Sequence, residues 1–137
     1  MLLYEIKANY QRQTGEDNPG KVKETYLVEG LTCSDVEQRL MEVIKSLVWG
    51  ELEIPSCKKV QFYDLIPQPG ADRWFKARVE LITVEDNGKE TRKAVSILVQ
   101  GTTIDGALKT LRQHVSSLDC EIISITRSPI LEVYRAV

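Results

Sequence analysis

Residues 2–10 alternate between two kinds of position: Leu2, Tyr4, Ile6, Ala8 and Tyr10 share one parity, and Leu3, Glu5, Lys7 and Asn9 the other. That period of two predicts a half-buried strand. Between Gln11 and Gly20, Thr14-Gly15 and Asp17-Asn18-Pro19-Gly20 carry turn chemistry, and Lys23–Glu29 returns as a second strand with Tyr26 and Val28 inward. After Gly30, Thr32 is placed to cap a helix, with Asp35 near its N-terminus. Val36, Leu40, Val43, Ile44 and Leu47 then form one apolar stripe at helical spacing, which Trp49-Gly50 is expected to close. From Glu51 to Asp64 the chain reads as extended again, but Leu52, Ile54, Val60, Phe62 and Leu65 do not keep one parity. A bulge or break is expected near Cys57-Lys58-Lys59.

The pattern then recurs. At an offset of 71, Tyr4 falls on Phe75, Lys7 on Arg78, Leu27-Val28 on Leu98-Val99, Gly30 on Gly101 and Leu40 on Leu111. Beyond the helix the offset becomes 68, where Glu53-Ile54 meets Glu121-Ile122 and Ser56 meets Ser124. The second copy predicts a strand over 72–84, a hairpin turn at Asn87-Gly88 and a strand over 91–100. Thr103 is a second cap, followed by a helical stripe of Ile104, Ala107, Leu108, Leu111, Val115 and Leu118. Strands at 120–126 and 130–134 complete the copy. The expected fold is α+β: two tandem β-β-α-β repeats, antiparallel sheet with one helix per repeat, related by a pseudo-two-fold axis. The expected organisation is a first repeat over 1–66, a linker over 67–71 marked by Pro67, Pro69 and Gly70, and a second repeat over 72–137, forming one compact domain.

Composition narrows the function classes. With 42% hydrophobic and 28% charged residues, the chain can bury an ordinary globular core. A net charge of −2 gives no global attraction to nucleic acid or to an anionic membrane. Met1-Leu2-Leu3-Tyr4 lacks a basic leader, and no apolar run approaches the ~18 residues of a membrane span. Cys33, Cys57 and Cys120 are odd in number and far apart, as expected for reduced thiols in a cytoplasmic protein.

None of the phosphate-loop, dinucleotide, zinc-protease or nucleophile-elbow motifs occurs. His114 is the single histidine, which argues against a histidine metal site. Glu53 and Glu121 occupy equivalent positions and are expected on solvent faces. The expectation is therefore of no enzyme activity, no catalytic or metal-ligating residue and no cofactor.

Tyr4-Glu5-Ile6-Lys7, Tyr26-Leu27-Val28, Asp72-Arg73-Trp74-Phe75-Lys76-Ala77-Arg78 and Leu98-Val99-Gln100 together resemble a family of unknown function, domain of unknown function 4494. The resemblance covers essentially the whole chain and implies an origin among gut bacteria and their phages. It brings no catalytic residues. The aromatic pair Trp74-Phe75 stands only in the second copy.

The outer sheet face holds the candidate binding residues. If Tyr4, Ile6, Phe75, Ala77 and Val79 face the helices, then Leu3, Glu5, Lys7, Trp74, Lys76, Arg78 and Glu80 face away, joined by Leu27 and Leu98. Trp, Leu and alternating Lys/Arg on one face point to a binding surface formed by Trp74, Lys76, Arg78, Lys7, Leu27 and Leu98. Two partners fit it. One is protein, in particular a second copy in a homo-oligomer, a reading that includes the plain structural case in which the two half-sheets of one chain bury Trp74, Leu27 and Leu98. The other is single-stranded DNA or RNA, with Trp74 stacking bases and Lys76, Arg78, Lys7, Arg73, Arg92 and Lys93 following phosphates. Lys58-Lys59 reads as a solvated turn. A membrane is not an expected partner.

Overall fold

The structure is a computed structural model describing residues 2–12 and 20–136. The expected turns at Thr14-Gly15 and Asp17–Pro19 lie outside the described residues. The fold is mixed α+β, with two helices and two four-stranded sheets among the described residues. The chain divides into two compact units, residues 1–60 with 129–137 and residues 61–128.

In the first unit, β1 (Leu2–Arg12) pairs antiparallel with β2 (Gly20–Gly30), α1 (Cys33–Ile44) follows, and β3 (Val48–Val60) pairs antiparallel with β1. The parity read from the sequence places Tyr4, Ile6, Ala8, Tyr10, Tyr26 and Val28 in a core with Val36, Leu40 and Ile44 of α1. Burying each such side chain contributes roughly 1.5–3 kcal/mol. Thr32 Oγ1 accepts from the Asp35 amide at 3.1 Å while Asp35 Oδ2 accepts from the Leu31 amide at 2.9 Å, so two amides at the helix entrance are satisfied by side chains.

The second unit contains β4 (Asp64–Ile66), β5 (Arg73–Val84), β6 (Glu90–Gly101), α2 (Ile104–His114) and β7 (Cys120–Arg127). Phe75, Ala77, Val79, Ile97 and Val99 pack with Ala107, Leu111 and Val115. The β5–β6 hairpin turns where expected: Gly88 takes a φ of 84°, and its amide bonds the Glu85 carbonyl at 2.9 Å. At the other end of β6, a Cβ on Gly101 would lie 3.0 Å from the Ala107 Cβ and 3.1 Å from its backbone nitrogen, so only glycine lets the helix approach.

The sheets have the strand orders β3-β1-β2-β8 and β4-β6-β5-β7, where β8 is Ile130–Tyr134. Both β8 on β2 and β4 on β6 are parallel pairings. Asp64–Ile66, expected to close the first repeat, therefore lies in the second unit's sheet, and Ile130–Tyr134, expected to close the second, lies in the first unit's sheet. The unit boundary falls after Val60, not in the proline-containing 67–71 stretch, because Leu65 pairs with Leu98 and Ile66 with Val99. The 67–71 turn is itself pinned in the second unit: the Gln100 side chain accepts from the Gln68 amide at 3.0 Å and donates to the Ala71 carbonyl at 2.8 Å.

Three further expectations are corrected. Helix α1 ends at Ile44, not at Trp49-Gly50, because Val48 and Trp49 already pair with Arg12 and Gln11. The buried stripes are Val36-Leu40-Ile44 and Ala107-Leu111-Val115, each at i, i+4, i+8, while Val43, Leu47, Ile104 and Leu118 are exposed. The irregularity in β3 lies not at Cys57–Lys59, which pairs regularly with β1, but around Ile54-Pro55 and Gly50–Leu52. Pro55 has no amide to give to a ladder, which suits it to a bulge. The β5–β7 ladder breaks at Ile123, the position equivalent to Pro55.

Candidate functional site

Strand β5 is flanked by β6 and β7, and its even-numbered residues Trp74, Lys76, Arg78 and Glu80 lie on the face away from α2. Register fixes their neighbours. Arg78 lies opposite Ser96 and Ser124, Lys76 opposite Leu98 and Thr126, and Glu80 opposite Ala94 and Glu121. Lys76, Arg78, Ala94, Ser96, Ser124 and Thr126 line an open cleft of about 460 Å³.

The charges on this face are sorted. Arg92 donates to Glu121 at 2.6 Å and to Glu80 at 3.4 Å, and lies 3.5 Å from Glu90. Those bonds, that to Glu121 first, push its pKa above the ordinary guanidinium value. Arg92, expected to follow phosphates, is thus occupied by three carboxylates, and Glu121 is exposed but bonded. Lys76 and Arg78 have no ion-pair partner among the described residues and are exposed. An open pair of cations flanked by three hydroxyls is a set of donors for an oxyanion.

The structure does not bring all the sequence-predicted residues to that surface. Trp74 is 5% exposed and Leu27 and Leu98 are fully buried, yet none of them belongs to either helix-side core. They have the outer parity expected, and their burial is the case in which they serve structure rather than an open surface. Trp74 offers no open stacking platform; its indole nitrogen is buried with no hydrogen-bond partner. Lys7 is exposed in the other unit, opposite Thr25 and Ser56. Arg73 and Lys93 pair with Gly101 and Leu81, positions of the helix-side parity.

A family model described as "Domain of unknown function (DUF4494)" matches residues 2–136. The chain belongs to the DUF4494 family. No curated protein matches it.

Three clusters in this DUF4494 chain were not anticipated from the sequence. Glu24 accepts from the Tyr10 hydroxyl at 2.7 Å, from Arg12 at 2.6 Å and from the Tyr26 hydroxyl. Burial first, then these bonds, push the Tyr26 phenol far above its usual value. Tyr134 of β8 stacks on Tyr26 with ring centroids 5.9 Å apart. The signal was present, since Glu24 shares parity with inward Tyr26, but its partners depend on the β1–β2 register. Second, Cys33 Sγ donates to the Cys57 carbonyl at 3.4 Å. Burial, with a bond to Cys33, raises the Cys57 thiol to about 12, so it is mostly unreactive thiol near neutrality. Third, His114 Nε2 lies 2.6 Å from Asp64 Oδ2, tying α2 to β4 on the face opposite the cleft. Among the described residues no group of three or more His, Cys, Asp or Glu converges as for a metal ion, and no helix is long and apolar enough to cross a membrane.

Proposed function

We propose that this protein is a non-enzymatic binding protein whose working surface is the outer face of β5, β6 and β7, and that its ligand is anionic. The observation that carries the reading is the pair Lys76 and Arg78, exposed and without carboxylate partners on a face whose acids are held by Arg92. Two like charges in the open repel each other only weakly, and an anion placed between them gains from both. Glu80 and Glu121 are held by Arg92, so neither stands free beside the cations as a general base. Self-association gains no exposed apolar surface from Trp74, Leu27 or Leu98, all of which are buried. We also infer that the chain arose by duplication of a β-β-α-β unit; the matching strand orders and the equivalent irregularities at Pro55 and Ile123 support this.

The test is fluorescence anisotropy of a labelled heparin fragment titrated with wild type and with Lys76→Glu/Arg78→Glu. The double variant should weaken binding by roughly tenfold or more, about 1.4 kcal/mol, without changing the circular dichroism spectrum. Equal binding by both proteins would contradict the reading.

The alternative is a single-stranded nucleic-acid-binding protein. The same two cations favour it, now through backbone contacts alone, since Trp74 is buried. A labelled single strand bound more tightly than duplex, with affinity falling steeply as salt rises, supports that alternative. A flat titration at low salt removes it.

A further inference from the structure

We propose that the cleft of β5, β6 and β7 is a phosphate site: its ligand presents a phosphate group to Lys76 and Arg78, with the hydroxyls of Ser96, Ser124 and Thr126 completing the shell. This rests on the binding reading above and names its ligand class.

The number and direction of the donors carry the inference. Arg78 is bracketed across the sheet by Ser96 on one side and Ser124 on the other, and Thr126 stands beside Lys76. Five donor side chains therefore border one opening. A carboxylate has two oxygens in one plane and is satisfied by a single guanidinium fork. It would leave most of these donors unused. A phosphate presents three or four oxygens in a tetrahedron and takes donors from the two cations along β5 and from the hydroxyls on both flanking strands. The charge agrees as well, since two cations match a phosphomonoester dianion, whose second pKa is about 6. The hydroxyls accept as readily as they donate, so the site also tolerates a singly protonated oxygen.

The cleft, at about 460 Å³ and open to solvent, has room for a ligand larger than one phosphate. A phosphomonoester metabolite and the internal diester of a single strand share this chemistry, and charge separates them. The monoester brings two charges to one position and should bind better above pH ~6 than below it. A diester brings one charge and should show no such dependence.

The probes are inorganic phosphate, pyrophosphate, citrate and a short single-stranded oligonucleotide. Phosphorus NMR line broadening reports the phosphates, and displacement of phosphate reports citrate and the oligonucleotide. The proposal predicts that pyrophosphate binds at least as well as phosphate. It predicts that citrate, despite its three carboxylates, displaces phosphate roughly tenfold less well. Arg78→Met should weaken phosphate by roughly tenfold, and Ser124→Ala with Thr126→Val by a smaller factor that leaves the fold intact. Tighter binding of the oligonucleotide than of pyrophosphate assigns the diester as the source, and the reverse assigns the monoester; either supports the phosphate site. Citrate binding as tightly as phosphate, with loss of both in Arg78→Met, overturns the phosphate assignment while leaving an anion-binding face. Phosphate binding unchanged in Arg78→Met overturns the site. Binding of no probe at all overturns this inference, and the binding reading falls with it only if the heparin fragment also fails to bind.

Discussion

Lys7 lies opposite Thr25 and Ser56, and Arg78 lies opposite Ser96 and Ser124. Each unit therefore sets a cation between two hydroxyl side chains on the outer face of its sheet. Two residues earlier the faces diverge: Glu5 lies opposite Leu27 and Lys58, whereas Lys76 lies opposite Leu98 and Thr126. One unit thus alternates negative and positive along the strand, and the other presents two positive charges in succession. Both units set a cation between hydroxyls, but the first face carries Glu5 between Lys7 and Lys58, whereas no acid stands between Lys76 and Arg78 in the second. The structural residues of the face are shared, since Leu27 and Leu98 are both fully buried, and the side chains that differ are Glu5 against Lys76 and Lys58 against Thr126.

The largest effect expected from breaking this comparison is on its shared part. Leu27→Ala and Leu98→Ala should each cost about 2–5 kcal/mol, measured by urea unfolding. A loss below 1 kcal/mol at either position would mean that the leucine is not a core residue, and the equivalence of the two faces would fail.

A smaller effect separates the helix-side cores. Tyr26 bonds Glu24 inside the first core, and the equivalent residue in the second is Ile97. The Tyr26 phenol is raised in the folded state, so its contribution to stability is complete below its unfolded value near 10 and is lost as pH rises above it. Alkaline loss of structure should therefore begin in the first unit. Hydrogen exchange between pH 9 and 11 should show β1 and β2 losing protection relative to β5 and β6, and Tyr26→Phe should reduce that pH dependence. Equal loss in both units would count against the assignment.

The smallest effect on stability, and the most informative for function, comes from Glu5→Lys. It removes the acid between Lys7 and Lys58, and because Glu5 is half-buried and lies opposite Lys58 it should cost about 1 kcal/mol. It should also add phosphate affinity at the first face. If a second set of shifts does not appear on phosphate titration, charge pattern alone does not make the site.

Much of the local structure was legible because it depends on neighbours in sequence. The alternation of Leu2–Tyr10, the caps at Thr32 and Thr103 and the turn at Asn87-Gly88 all follow from short-range chemistry. The destination of the closing strands was not legible. Asp64–Ile66 is three residues long, and its parallel pairing offers no turn signal to say which sheet it joins. Nor does parity say whether an outward leucine is covered, so for Leu27, Trp74 and Leu98 the sequence left both a binding surface and burial open. At the candidate site, Lys76 and Arg78 could be read from the strand alone. Their hydroxyl neighbours, and the capture of Glu80 and Glu121 by Arg92, required the register of three strands that are far apart in sequence.

The most direct test of the central claim is a backbone-amide NMR map of wild type titrated with pyrophosphate. The account predicts that the amides of Lys76, Arg78, Ser96, Ser124 and Thr126 shift together along one binding curve, while those of Glu5, Lys7, Thr25 and Ser56 stay in place. Shifts centred on the first unit, or shifts spread evenly over surface lysines in both, would contradict it.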